Sequence, residues 1–432
     1  MTNSNNLFEL ERIARTNNDS NLLEIQEKII NTCSDFTEIV ATLKVLQNKR
    51  RQNMLNFKTI LNKVIECRYD TLAPILNTDA YIKMLDDILN IIVSGKIYLE
   101  QERIKIAEII LTYISQSKDE QKLEKMHKVI SDVPVETFIN VDDKKKNELL
   151  FSSFSFAYLL GKFDECEMIL RRIVRSGMED EDKYVLYMYE AMLSVCFKNY
   201  KEAASKYLLV SELSKSSKIC VSMKKYVVLG SYYMILNNLQ LKNRKINTNL
   251  EINSKLQTGD ISYRSFYVHS HNDEVMRNIL YEFINNNIIN YSSMFAKLSK
   301  VMSCYENDTL INSNKYVSSA GYAKKHASSS FQENVVNDEN ILRNAVNEHN
   351  LFVCVKFFSA VHVSQLAFLM QMDENTTIEF LSFMVNNGYV NIRINQQTNI
   401  IKICENKNYN NNVNKVLDGI KNVAHVIESY EL

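Results

Sequence analysis

Residues 361–403 read VHVSQLAFLMQMDENTTIEFLSFMVNNGYVNIRINQQTNIIKI, and this stretch decides the fold. Val361-His362-Val363 is a short extended piece, and Ser364 to Met370 is a short helix. Gln371-Met372-Asp373 turns the chain into a second helix, Glu374 to Asn387. Gly388 stops that helix, because a glycine just past a helix end takes the left-handed cap with no Cβ to clash. From Tyr389 to Ile394, apolar Val390, Ile392 and Ile394 alternate with Asn391 and Arg393, the period of a half-buried strand. A polar turn, Asn395 to Asn399, returns the chain into Ile400 to Ile403. Helix, turn, helix and a two-stranded wing make a winged helix, expected over 341–404 at the end of a long helical array.

Upstream, one theme repeats loosely. An apolar helix ends in a short polar turn and an amphipathic helix follows. Phe156 to Asp164 runs in this way into Cys166 to Val174, and Ala191 to Tyr200 runs into Lys201 to Val210. Weaker turns fall near Asn18-Asp19-Ser20, Arg68-Tyr69-Asp70 and Lys118-Asp119-Glu120. A period of about 35 to 45 residues with two helices per unit marks a solenoid, in which each pair buries its apolar stripe only against its neighbours. An irregular helical bundle is the plainer alternative. The expected fold is therefore mainly α: a right-handed, TPR-like helical-repeat arm over 1–240, a winged helix at 341–404, and a terminal helix. Leu241 to Asp260 and Tyr305 to Asn340 are polar and read as loops. After an Asn-rich linker from Glu405, Val413, Val416, Leu417, Ile420, Val423, Ala424 and Ile427 recur at helical spacing, so 405–432 is a linker and a helix that needs a partner surface, either in a bundle shared with other chains or, as the plainer alternative, on its own winged helix.

Composition bounds the function. The 432 residues hold 51 basic and 51 acidic side chains, and a nucleic-acid binder ordinarily carries a basic excess. The second helix of the winged helix holds Glu374 and Glu379, with Asp373 before it, and no Lys or Arg before Arg393; such a face is repelled by phosphates. The eight cysteines include no Cys-x-x-Cys pair and most sit in apolar helical contexts, as reduced thiols of a cytosolic or nuclear protein do. Met1 to Leu10 lacks the basic start and apolar core of a signal peptide. The longest apolar run, Tyr226 to Leu236, falls short of the roughly 20 residues that cross a bilayer.

Three constellations invite a chemical reading. His269-Ser270-His271 has the His-x-His spacing that holds zinc in deubiquitinating metalloproteases. The remaining ligand positions, however, fall on Ile279 and Glu282, and an incomplete set holds its metal poorly. The two histidines are expected at the polar start of a helix. His349 and Cys354 lie five residues apart, off one helical face, which suits core packing better than a nucleophile–base pair. Lys144-Lys145-Lys146 and Lys49-Arg50-Arg51 read as solvated helix ends. No catalytic, metal-binding or cofactor-binding residue is expected.

A helical arm ending in a winged helix resembles the PCI domain. Gly95-Lys96-Ile97-Tyr98-Leu99-Glu100-Gln101-Glu102-Arg103 is similar to a Gly-Lys-Ile-Tyr-x-Glu-x-Glu-Arg segment of the 26S proteasome non-ATPase regulatory subunit 12 family, with Lys49-Arg50-Arg51 at a similar distance before it. Val135-Glu136-Thr137-Phe138 before Lys144-Lys145-Lys146, and Val346 to Asn350 before Lys356-Phe357-Phe358 and Leu366-Ala367, resemble that family too. Ser364-Gln365 and the glycine-free wing turn Gln396 to Asn399 depart from it. Phe197 to Leu209 looks closer to subunit four of the signalosome, the alternative assignment. The resemblance implies that 241–340 is the helical half of a PCI module and that the chain is a non-catalytic scaffold of the proteasome lid, in cytoplasm and nucleus. Its partners would be other PCI lid subunits, the lid deubiquitinase and the ATPase ring, with no nucleic acid and no membrane. Winged helices would pair edge-on, through the strand Ile400 to Ile403 or its neighbour, and the terminal helix would join a bundle.

Overall fold

The computed structural model describes residues 2–17, 19, 21–33, 35–66, 79–117, 121–216, 223–237, 263–270, 273–285, 287–303, 339–395 and 397–403. The expectations for 241–260, most of 305–340 and 405–432 lie outside these residues, as do the turns at 68–70 and 118–120 and residues His271 and Gln396. The described residues are mostly helical, and no helix among them is long and apolar enough to cross a membrane. They fall into two compact units, the first running to Phe197 and the second beginning at Lys198.

The first unit is a run of helices: α1 (Thr2–Asn17), α2 (Leu22–Asn31), α3 (Phe36–Gln47), α4 (Met54–Ile65), α5 (Asp79–Ile88), α6 (Glu100–Gln116), α7 (Lys122–Ser131), α8 (Asp143–Leu159), α9 (Phe163–Arg172) and α10 (Asp180–Cys196). A π-helical turn, Leu89–Val93, extends α5. Short 3-10 turns at Ile97–Leu99 and Val135–Thr137 precede α6 and α8. Two apolar cores run through the unit, and α6 serves both. Its Ile106 and Ile110 face the core built from α2 to α5, whereas Ile104, Ala107 and Leu111 face the core of α7 to α10. A helix that buries opposite faces in successive cores is what stacked repeats require. In α8 nearly every residue from Asn147 to Ala157 is buried. Its serines are accommodated by hydrogen bonds: Ser155 Oγ lies 3.0 Å from the Phe151 carbonyl and 2.8 Å from the Tyr189 hydroxyl.

The second unit begins with α11 (Tyr200–Ser216), α12 (Met223–Leu236), α13 (Tyr263–His269), α14 (Glu274–Ile284) and α15 (Tyr291–Ser303). Gly230 lets α12 approach its neighbours: a Cβ there would stand 2.6 Å from Phe266 Cε1 and 3.2 Å from Tyr207 Cβ. Then α16 (Glu339–Phe357) leads into β1 (Ala360–His362), α17 (Val363–Met370), α18 (Glu374–Asn386), β2 (Ile392–Asn395) and β3 (Ile400–Ile403). This is the winged helix expected from the sequence. Its core holds Leu351, Val363, Leu366, Met370, Leu381, Met384, Val390, Ile392 and Ile401. Gly388, at φ +72°, ends α18 in a Schellman motif, with Gly388 N–H on the Val385 carbonyl and Tyr389 N–H on the Met384 carbonyl, both at 2.9 Å. Gln371, also left-handed at φ 56°, closes the turn after α17.

Three details differ from the sequence reading. The wing strand starts at Ile392 rather than Tyr389. The sheet has three strands in the order β1-β3-β2, because the extended piece before α17 pairs with the return strand. Ile400–Ile403 is thus the central strand, hydrogen-bonded on both sides, and cannot itself accept a further strand. His269 is the last residue of α13 rather than the start of a helix, since Tyr263 and Phe266 carry the helical pattern back before it.

Candidate protein-interaction surfaces

The strings that carry the family resemblance are joints of the arm. Glu11 on α1 is fully buried and accepts from Arg15 Nε at 3.1 Å, Gln26 Nε2 at 3.2 Å and Lys49 Nζ at 2.8 Å. Lys49 also stands 4.5 Å from the centre of the Phe8 ring, and the Arg50 carbonyl accepts from the Arg15 guanidinium. Arg51 takes a left-handed φ of 59°, turning the chain into α4, where the Asn53 side chain caps Leu55 N–H at 3.0 Å. Lys49-Arg50-Arg51 therefore fastens α1 to the turn between α3 and α4. A buried carboxylate needs such partners, because an uncompensated charge in the interior costs about 3 to 5 kcal/mol.

Glu100 Oε2 accepts two main-chain N–H groups, Ile139 at 2.9 Å and Asn140 at 2.7 Å. Gln101 Nε2 donates to the Asn140 carbonyl at 3.2 Å, and Asn140 Nδ2 donates to the Ile97 carbonyl at 3.3 Å. Glu102 reaches the other way, to Asn62 Nδ2 at 3.2 Å and Lys58 Nζ at 3.8 Å. Arg103 Nη2 donates to the Asp132 carbonyl at 2.8 Å. The segment at 95–103 and the turn at 135–140 are thus one cross-linked structure. The lysine run after that turn is ion-paired rather than simply solvated: Lys144 meets Glu179 at 2.8 Å and Lys145 meets Glu108 at 2.6 Å.

At the root of the winged helix, Asn350 clamps the loop before α15. Its Oδ1 accepts Ile289 N–H at 2.8 Å and its Nδ2 donates to the Ile289 carbonyl at 2.9 Å. His349 Nε2 lies 3.0 Å from the Asn287 carbonyl, with its ring 4.7 Å from that of Phe283. Burial holds the imidazole below its usual range. Cys354 packs in the winged-helix core, and burial pushes its thiol up. The structure does not join the two in a nucleophile–base pair. Glu348 is 2% exposed, and its Oε2 has no hydrogen-bond partner among the described residues. Burial pushes its carboxyl up to about 8, which favours the protonated form near neutral pH.

His269 Nδ1 contacts the Ser265 carbonyl at 2.7 Å, and its Nε2 stands 3.6 Å from Glu212. Ile279 is buried in α14. Among the described residues no group of three or more His, Cys, Asp or Glu is placed to hold a metal ion.

The winged helix also presents an unusual surface. Phe357 and Phe368 are 72% and 82% exposed, and Phe358 and Phe383 are exposed as well. Phe358, Val361, Phe368 and Leu369 line a groove of about 430 Å³ whose polar edge is Ser364 and Gln365. The groove lies beside β1, an edge strand. The ladder bonds from Ile403 N–H to the Ser359 carbonyl and from Val363 N–H to the Asn399 carbonyl turn alternate residues of β3 toward β1. By antiparallel alternation, Ala360 and His362 on one edge, and Ile392 and Ile394 on the other, direct their main-chain groups outward. Edge strands beside exposed aromatic rings offer both the hydrogen bonds and the apolar anchors of strand addition. Sequence reading missed the phenylalanines. Phe368 within an otherwise apolar helix carried no signal of exposure. On α18, Glu374, Asn375, Thr376, Glu379, Ser382, Phe383 and Asn386 are exposed, a face without a single cation.

Residues 3–218 match the family model described as PSMD12/CSN4, N-terminal, and residues 323–404 match the PCI domain. The chain is 21% identical to the 26S proteasome regulatory subunit RPN5 of Saccharomyces cerevisiae, over 99% of this chain and 90% of that one. It is 20% identical to the 26S proteasome non-ATPase regulatory subunit 12 of Dictyostelium discoideum, over 98% and 88%. Against the 26S proteasome regulatory subunit rpn501 of Schizosaccharomyces pombe it is 22% identical, over 81% and 73%.

Proposed function

The chain belongs to the PSMD12/CSN4 family, and on that premise we propose that it is a non-catalytic scaffold subunit of the lid of the 26S proteasome regulatory particle. In this role it supports ubiquitin-dependent degradation by holding neighbouring subunits in order. The observation that carries the reading is a winged helix built for proteins rather than nucleic acid. It has two strand edges, exposed Phe357 and Phe368, and a second helix whose exposed face is acidic or neutral. The relatives named above are all proteasome regulatory subunits and match along most or nearly all of the chain, which favours the lid over a signalosome subunit. Edge-on pairing with the winged helix of another PCI subunit uses β1 or β2, the strands that flank Ile400–Ile403. The apolar spacing of Val413, Val416, Leu417, Ile420, Val423, Ala424 and Ile427 in the sequence supports a contribution of this segment, which lies outside the described residues, to a shared bundle. The lid deubiquitinase and the ATPase ring complete the set of partners, in cytoplasm and nucleus.

Proline at an outward-facing position tests the pairing. In Ala360→Pro and Ile394→Pro the lost N–H is one that the sheet itself does not use, so the ladder stays intact, and Ile394→Pro in addition trims a side chain packed against the winged-helix core. One of the two variants is expected to fail to enter the lid while remaining folded by circular dichroism, with Ala360→Pro keeping the wild-type melting profile and Ile394→Pro melting somewhat lower. Normal incorporation of both would refute edge-on pairing.

A further inference from the structure

The described part of the chain ends beside the groove of the winged helix. Ile403, its last residue, donates its N–H to the Ser359 carbonyl at 3.0 Å, so it stands next to the residue that follows Phe358. Phe358 lines the groove with Val361, Phe368 and Leu369, and the polar edge, Ser364 and Gln365, is uncharged. These residues share one concave surface, and Phe368, 82% exposed, is the largest apolar side chain left open on it.

The sequence after Ile403 supplies a segment matched to that surface. Residues 404–412 are Asn-rich and, fully extended, reach about 30 Å, which does not restrict where the next segment sits around the exit point. From Val413 to Ile427 the apolar residues keep helical spacing. On a helix they fall within an arc of about 120°, along about 20 Å of axis. Lys415, Asp418 and Lys421 fall off this stripe, so neither the stripe nor the groove brings a charge into contact. An apolar stripe with anchors at i, i+3, i+4 and i+7 is what a helix lays into a groove. A short flexible tether holds such a segment near its site at an effective concentration on the order of millimolar, an advantage that no separate chain at ordinary concentration shares.

From this we infer that, in the chain before it joins a complex, residues 413–427 seat as a helix in the groove of their own winged helix, against Phe358, Val361, Phe368 and Leu369. One stripe cannot serve this groove and a shared bundle at once. Assembly therefore draws the segment out and opens the groove to a neighbour. The inference goes beyond the lid assignment, since it concerns the free chain and holds for whichever complex the chain enters.

The test uses the full chain with p-benzoylphenylalanine in place of Phe368, an exposed ring whose exchange leaves the core untouched. The free chain, an equal mixture of isotope-labelled and unlabelled protein at low micromolar concentration, is irradiated and its cross-linked peptides are identified by mass spectrometry. The expected product joins position 368 to residues 413–427 within one chain, with both peptides labelled or both unlabelled. Adding Ile420→Asp, a change outside the described core, is expected to reduce that product at least tenfold. A product that mixes labelled with unlabelled peptides shows a second copy in the groove and overturns the inference. So does cross-linking only to other parts of the chain, the absence of any cross-link, or a yield that Ile420→Asp leaves unchanged.

Discussion

Glu348 gives the sharpest test of the winged helix's root. It sits in α16 with one carboxylate oxygen unbonded among the described residues, and burial raises its pKa from 4.5 to about 8. The folded state therefore holds a proton that the unfolded chain releases. Its stabilising effect is complete below about pH 4.5 and is lost as the pH rises through about 8. Each unit of difference is worth about 1.4 kcal/mol, so the wild type loses about 3 kcal/mol between about pH 5 and about pH 7 through this group. Glu348→Gln keeps the shape and cannot ionise. The variant is expected to gain about that much on the wild type over the same interval. Urea unfolding of the full chain, followed by circular dichroism across this range, measures the difference. Amide exchange in α16, corrected for intrinsic rates, localises it. Parallel pH profiles for wild type and variant would refute the reasoning.

Other expectations follow from the same structure. Gly230→Ala places a methyl 2.6 Å from buried Phe266 and should cost about 1 to 3 kcal/mol, read as a melting temperature lowered by a few degrees. Glu100→Ala orphans the N–H groups of Ile139 and Asn140; at about 1 to 3 kcal/mol for each unsatisfied donor, the urea midpoint should fall and amides of 135–142 should exchange faster. Leu381→Asp buries an unpaired charge at a position with no exposure and should unfold the winged helix, seen as rapid proteolysis beyond α16 while the first unit stays intact.

The winged helix was legible because its signals are local. Gly388, the polar Gln371-Met372-Asp373 turn and the alternation through Ile394 each fix conformation within a few residues. Sheet order was not legible, since β1 joins β3 by pairings some 40 residues apart, such as Val361 with Ile401. The same limit applies to the arm. Lys49-Arg50-Arg51 and Glu100 to Arg103 were recognisable as strings, but their roles lie in partners far along the chain: Glu11 is 38 residues from Lys49, and Asn140 is 40 from Glu100. His269 ends one helix and the next begins a few residues later, at the N-cap Asp273 of α14, a boundary that the polar His269-Ser270-His271 string does not resolve by itself. Exposure was the least legible quantity. Ile97, Ile139 and Phe368 look like core residues in one dimension, and only the packing shows them facing out.

The central claim is that this chain is an assembly joint of the proteasome lid. Affinity purification of the tagged full chain from its own cells, with quantitative mass spectrometry of what accompanies it, tests that claim directly. The account predicts PCI lid subunits, the lid deubiquitinase and the ATPases in equal stoichiometry with the chain. Recovery of a complex that lacks the ATPases, or of the chain alone, would contradict it.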